Sequence, residues 1–172
     1  TSVSAVTVTG HTVVDTSTYW SIFGQVIIFT LMLVGGLGFM VVSTFILLLI
    51  GQRSTLQERI LTRGLMRDTI GVDQMGGLQH LGRMVIGVVF LSYAVGAAVI
   101  FSQIHGLDGM GTLESFWHSV FLSVSSVNNA GFNIIPEVPG GSSLARFVSN
   151  PVLMITMTFL IILGGLGWVL LA

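Results

Sequence analysis

SFWHSVFLSVSSVNNAGFNIIP, residues 115–136, decides how this chain is built. The stretch carries no charge, runs apolar for about three turns, and then gives way to Ser, Asn and Gly. Thr112 stands where a cap would start a helix, and Glu114 suits the positive end of its dipole. A helix from Leu113 to Ser126 would be about 21 Å long, too short for a hydrocarbon core of about 30 Å. The spacing therefore predicts a re-entrant pore helix over 112–126 and a non-helical segment over 127–133. Irregular backbone at membrane depth is tolerated only where it is buried in protein or lines a cavity.

Three further uncharged runs surround this one. They are 16–52, 84–107 and 147–172, each longer than the roughly 20 residues a spanning helix needs. Their apolar cores lie near Ile22–Ile50, Met84–Phe101 and Pro151–Leu171. The composition agrees: 52% of the 172 residues are apolar and 8% charged, against about a quarter charged in soluble domains. Six scattered Arg and no Lys leave no basic patch for nucleic acid. The absence of Cys excludes disulfide scaffolds, thiolate metal sites and Cys nucleophiles. The expected surroundings are membrane lipid, with the chain multi-pass in the plasma membrane.

Arg53, Arg59, Arg63, Arg67 and Arg83 lie between the first two spans. The positive-inside rule makes loop 51–83 cytoplasmic and loops 1–19 and 105–149 external. Thr55 and Glu58 form a capping box for a short cytoplasmic helix, STLQERILTRGLMR.

An internal repeat underlies this layout. Gly35-Gly36-Leu37-Gly38 recurs as Gly164-Gly165-Leu166-Gly167, and Val6-Thr7-Val8-Thr9-Gly10 has a counterpart in Val127-Asn128-Asn129-Ala130-Gly131. The two offsets, 129 and 121, differ by a segment containing Pro136, Pro139 and Gly140-Gly141-Ser142-Ser143. Residues 1–50 then form the end of a first pore repeat, with a filter loop and second helix. Residues 84–172 form a second repeat with helix 84–104, pore helix, filter and helix 150–172. Two spans per unit give successive units one orientation, unlike inverted-repeat transporters. The expected fold is an all-α membrane protein of helix, re-entrant pore helix, filter loop and helix units around a central pore. The missing start of the first unit suggests part of something larger.

A short helix aimed into the membrane ends in partial negative charge, and the following loop offers backbone carbonyls. Together they can replace the water around a cation. Thr7, Val8, Thr9 and Gly10 form one such candidate loop, with small β-branched residues before a Gly free to take positive φ. Asn128, Asn129, Ala130 and Gly131 form the other. The bound ion would be K⁺ held by backbone carbonyls, with Na⁺ as the alternative.

The residues that carry a family resemblance are SAVTVTG and TVVDT (4–16), GQVIIFTLMLVGGLGFM (24–40), QRSTLQERI (52–60) and NNAGFN (128–133). The chain resembles the Trk/Ktr/HKT superfamily of potassium transporters, most closely a bacterial Ktr-type or Trk-type membrane subunit. The resemblance implies four helix–pore–helix repeats, a key filter Gly in each, matched by Gly10 and Gly131, and Na⁺ permeation where Ser replaces that Gly. It also implies a homodimer on a cytoplasmic nucleotide-binding regulatory subunit of the RCK/KTN type. His11 departs from the Leu that commonly follows the filter Gly. The family's gating loop belongs to the third repeat.

Other residues admit simpler roles. The GGLG glycines permit close helix packing or act as a hinge. Asp15 is either a charge at an ion-attracting mouth or a helix cap. The four His (11, 80, 105, 118) lack metal-ligand spacing, and His118 fits hydrogen-bonded packing. Asn128 and Asn129 could hold the loop through buried amides. Nothing gathers Ser, His and Asp into a catalytic group, so an enzyme is not expected. A K⁺ uptake pore leads; a Na⁺-permeable relative and a non-conducting scaffold are the alternatives.

Overall fold

The computed structural model describes residues 1–53, 73–105, 110–136, 144 and 147–165. The described residues form helices and loops with no strand: α1 (Ser2–Val6), α2 (Thr16–Tyr19), α3 (Ile22–Arg53), α4 (Asp73–Ile104), α5 (Thr112–Val127) and α6 (Pro151–Gly165).

Residues 22–38, 83–104 and 151–165 are apolar with little sidedness, as expected of helices in lipid or in a large core. The stretch Arg83–Ile104 is long and apolar enough to cross a bilayer, and only 28% of its most apolar window is buried. Phe90, Leu91 and Val95 on α4 are each more than half exposed, as are Ile155 and Phe159 on α6. Exposed apolar faces of this kind suit contact with lipid or with further protein.

Helix starts follow local chemistry. Asn150 caps α6 by accepting from the Leu153 amide at 3.2 Å, and Pro151 occupies the first helical position, where a missing N–H costs nothing. The start of α5 differs from the expected Thr112 cap. Gly111 is the cap residue and no side chain caps it, so Thr112 is already helical; its hydroxyl lies 3.4 Å from His105 Nε2. The helix expected over 84–104 begins at Asp73, because Gly76-Gly77 weakens but does not break it. The short helix expected in STLQERILTRGLMR, with its Thr55–Glu58 box, lies outside the described residues, as do 137–143 and 166–172.

Helix α5 lies against both α4 and α6, while α1 packs on α3 and α3 also touches α5. One core sits inside the second repeat, where Val89, Ile100, Leu122, Val124, Val127 and Leu153 are fully or almost fully buried. A second core forms the seam between repeats. Ala5, Ile28 and Met32 meet Phe121, Ala130, Phe132 and Ile134 there. Lipid is as apolar as these side chains, so close fit and polar ties must hold the helices together. At the seam Trp117 Nε1 donates to Gln25 Oε1 at 3.0 Å, and Gln25 Nε2 donates to the Trp20 carbonyl at 3.3 Å. Gly96 lets α4 approach so closely that a Cβ there would meet the Ser123 hydroxyl and lie 2.7 Å from Leu160 Cδ1.

Candidate functional site

The loops after α1 and α5 have the same backbone. Their C-cap residues are Thr7 (φ −83°, ψ 1°) and Asn128 (φ −79°, ψ −3°). The next residues, Val8 and Asn129, are left-handed at φ 48° and 56°, and Gly10 and Gly131 both have φ 71°. The hydrogen bonds match as well. Val8 N–H donates to Ala5 O at 3.4 Å and Thr9 N–H to Ser4 O at 3.0 Å. Asn129 N–H donates to Ser126 O at 3.1 Å and Ala130 N–H to Ser125 O at 2.8 Å. This is the paired bonding that closes a helix through a left-handed residue. Asn tolerates that conformation; Val, being β-branched, does not, at a cost on the order of 1–2 kcal/mol.

The seam brings these loops together. A Cβ built on Gly10 would lie 2.7 Å from the Ala130 carbonyl oxygen, and one on Gly131 would lie 3.5 Å from Gly10 Cα. Both glycines are therefore needed for their φ, and Gly10 also for the close approach.

The GGLG motifs explain how the second helices reach the loops. A Cβ on Gly35 would collide with the Val6 carbonyl, and one on Gly164 with the Val127 carbonyl. In each repeat the first Gly lets the long helix pass directly over the last carbonyl of the short one. Packing, rather than a hinge, is what these two positions require.

Asn128 and Asn129 tie the second loop to three helices, α3, α4 and α6. Asn128 is 5% exposed; its Oδ1 accepts from Tyr93 Oη at 2.7 Å, and its Nδ2 donates to the Met32 carbonyl at 3.2 Å. Asn129, with its amide oriented by the surrounding donors and acceptors, donates to Ile161 O and accepts from Gly165 N–H, both at 3.2 Å. Those two backbone groups are four residues apart, so the carboxamide bridges one rung of the α6 ladder. Met32 and Ile161 are themselves related by the repeat offset of 129. In the first loop Thr7 plays a more local part: its hydroxyl donates to Val3 O at 2.9 Å and sits 3.2 Å from Thr9 Oγ1.

Asp15 caps α2. Its Oδ1 accepts from the Ser17 amide at 3.1 Å, and its Oδ2 accepts from the Ser17 and Thr18 hydroxyls at 2.6 and 2.7 Å. Desolvation pushes its pKa up, but these bonds together outweigh it and hold the carboxyl below its ordinary value. His118 is buried and its Nδ1 has no hydrogen-bond partner, so the expectation of hydrogen-bonded packing holds only for the packing. Among the described residues no three His, Asp or Glu side chains gather as a metal site.

Tyr93, Gln25 and the Met32 carbonyl are parts of this arrangement that reading the sequence missed. The only hint was a hydroxyl or carboxamide inside an otherwise apolar span, where a polar group needs a partner.

The fold and its paired loops define a helical membrane protein built on a repeated plan. The chain belongs to the TrkH family, described as cation transport protein, whose match covers residues 1–172. It is 35% identical over 171 residues to the Ktr system potassium uptake protein B of Bacillus subtilis, covering 99% of this chain and 36% of that protein. It is 30% identical over 168 residues to the protein of the same name from Vibrio alginolyticus, covering 98% and 34%. Identity to the potassium/sodium uptake protein NtpJ of Enterococcus hirae is 30% over 169 residues, covering 98% and 35%. The chain spans about a third of the length of these relatives.

Proposed function

We propose that this chain forms part of the pore of a K⁺ uptake protein, with Thr7–Gly10 and Asn128–Gly131 as two segments of its selectivity filter. The observation that carries this reading is the recurrence of one backbone in both loops, φ 48° then 71° and φ 56° then 71°, with the two glycines adjacent. Alternating right- and left-handed residues turn successive N–H groups to one side. In both loops those N–H groups engage the helix end, which leaves carbonyl oxygens as the groups available to a dehydrated cation. A scaffold subunit would have no use for a strained Val8 or for two glycines in this conformation.

Within this reading α1 and α5 are re-entrant, α3, α4 and α6 span the plasma membrane, and residues 51–83 face the cytoplasm. A third and fourth loop, a second copy of the protein and a cytoplasmic nucleotide-binding regulatory subunit complete the assembly. Na⁺ entry is the second reading, favoured by the potassium/sodium name of the Enterococcus relative. No step of the reading involves catalysis.

The test is Gly131→Ser and Gly10→Ser in the whole protein, with K⁺ and Na⁺ uptake measured in a K⁺-uptake-deficient bacterial strain. A Cβ at φ 71° strains the backbone by about 1–2 kcal/mol and displaces neighbouring carbonyls, so K⁺ preference over Na⁺ should fall while membrane insertion is retained. Unchanged preference in both variants would make the loops structural turns.

A further inference from the structure

Tyr93 lies on α4, outside both loops, yet its hydroxyl reaches the second one. It donates to Asn128 Oδ1 at 2.7 Å in a buried contact, and the same carboxamide donates to the Met32 carbonyl at 3.2 Å. Tyr93 is itself held: it is 7% exposed, its ring packs edge-on against Phe90 at 5.8 Å, and its carbonyl accepts from the Ser123 hydroxyl on α5 at 2.9 Å. Gly36 makes room for the arrangement, since a Cβ there would strike the Asn128 carboxamide. The result is one continuous polar chain from α4, through the C-cap of α5, to α3.

We infer that Tyr93 is a positioning residue for the second loop, acting through Asn128. Asn128 is the residue at which α5 ends and the chain turns left-handed into Asn129–Gly131. Fixing its side chain on two sides fixes the rotation of the first peptide of the loop, and with it the direction of the carbonyls that follow. The orientation of the second loop therefore depends on residues outside it. In the first loop, among the described residues, the Thr7 hydroxyl bonds within its own turn. This inference rests on the filter reading and adds to it a residue that sets selectivity without touching the ion.

The test is a double-mutant cycle in the whole protein, with Tyr93→Phe, Asn128→Ala and the double variant. Initial uptake of K⁺ and of Na⁺ is measured over a range of concentrations, with protein in the membrane quantified by immunoblot. Ser119→Ala, which removes a buried bond within α5 that touches neither Tyr93 nor Asn128, is the comparison, and Gly131→Ser reports on the filter itself. Tyr93→Phe keeps the ring and removes one buried bond, so the K⁺/Na⁺ preference should fall about threefold to tenfold at unchanged protein level. Tyr93→Phe should add little once Asn128 is Ala, because both substitutions break one chain. Should Asn128→Ala fail to accumulate, Asn128→Ser, whose shorter side chain cannot span both partners, takes its place in the cycle.

Wild-type preference in Tyr93→Phe alongside a shift in Gly131→Ser would overturn the clamp and leave the filter standing. A shift in Tyr93→Phe with none in Gly131→Ser would also overturn it, since the tyrosine would then act elsewhere. Equal shifts in Tyr93→Phe and Ser119→Ala would reduce the effect to general packing and overturn it. Wild-type preference in all variants would overturn both readings.

Discussion

Gly35 and Gly164 are the residues where the least freedom exists. A methyl group at either would enter the carbonyl at the end of a short helix, Val6 in one repeat and Val127 in the other. A carbonyl in a helix terminus cannot rotate away as a flexible side chain can, so the long helix itself must retreat. Gly35→Ala and Gly164→Ala should each lower stability by about 1–3 kcal/mol, the usual range for overpacking. Gly38, whose Cβ would meet nothing within 4 Å, is the matched comparison; Gly38→Ala should be neutral or stabilising by up to about 1 kcal/mol from helix propensity. Thermal aggregation of detergent-solubilised protein, followed by size-exclusion chromatography, checks the order. A Gly164→Ala protein as stable as Gly38→Ala would show that the crossing has slack. Val8 offers the opposite experiment. Its left-handed φ of 48° matches that of Asn129, so Val8→Asn should relieve strain and stabilise the first loop by about 1 kcal/mol, read in the same assay.

At the scale of elements, α2 is a four-residue helix held chiefly by one carboxylate. Asp15 accepts three hydrogen bonds from Ser17 and Thr18, which fix the approach of the chain to α3. Asp15→Ala should cost about 0.5–1 kcal/mol at neutral pH, the low end for a lost cap because the site is partly exposed. The folded pKa lies below the ordinary 3.8, so this stabilisation is complete above 3.8. It disappears as pH falls through the lower folded value. The melting difference between wild type and Asp15→Ala should therefore be constant from pH 7 to about 5 and shrink below 3.8. A difference that grew on acidification would assign Asp15 some other role. The short helices also show where local rules lose to packing. The expected Thr112 cap gives way to Gly111, because a side-chain cap matters less to a helix clasped along its length by α4 and α6.

For the whole molecule the seam is the deciding feature. It joins two loops 121 residues apart and presents their glycines side by side; under the proposed filter reading, two loops would leave a cation open on its remaining sides. The purified 172-residue chain in liposomes should therefore give no K⁺ flux above empty vesicles; robust flux would mean that copies close the ring by self-association. Topology is tested separately, because the native chain has no Cys. In the whole protein, Gln57→Cys should be protected from an impermeant thiol reagent in sealed cells and Ser142→Cys should react. Labelling of Gln57→Cys from outside would invert the orientation proposed from the Arg distribution.

Much of this could be read from the residues alone. Long uncharged runs declare helices in an apolar medium because burying charge in lipid is so costly, and a run too short to span declares its interruption. The repeated VTVTG and VNNAG strings, each ahead of a GGLG helix, were visible as strings because backbone geometry at positive φ restricts the residue type. Other features depend on neighbours far along the chain. Whether GGLG packs or bends followed from the carbonyls of Val6 and Val127 lying beneath it. Whether Asp15 caps or faces an ion followed from where Ser17 and Thr18 point. The partnership of Tyr93, Asn128 and Met32 spans 35 and 96 residues of sequence, and no periodicity encodes it. Composition and local pattern depend on transfer energies and on each residue's own conformational limits, which every residue carries with it. Hydrogen bonds and close contacts between distant residues exist only once the chain has folded, so those were the tertiary structure's to decide.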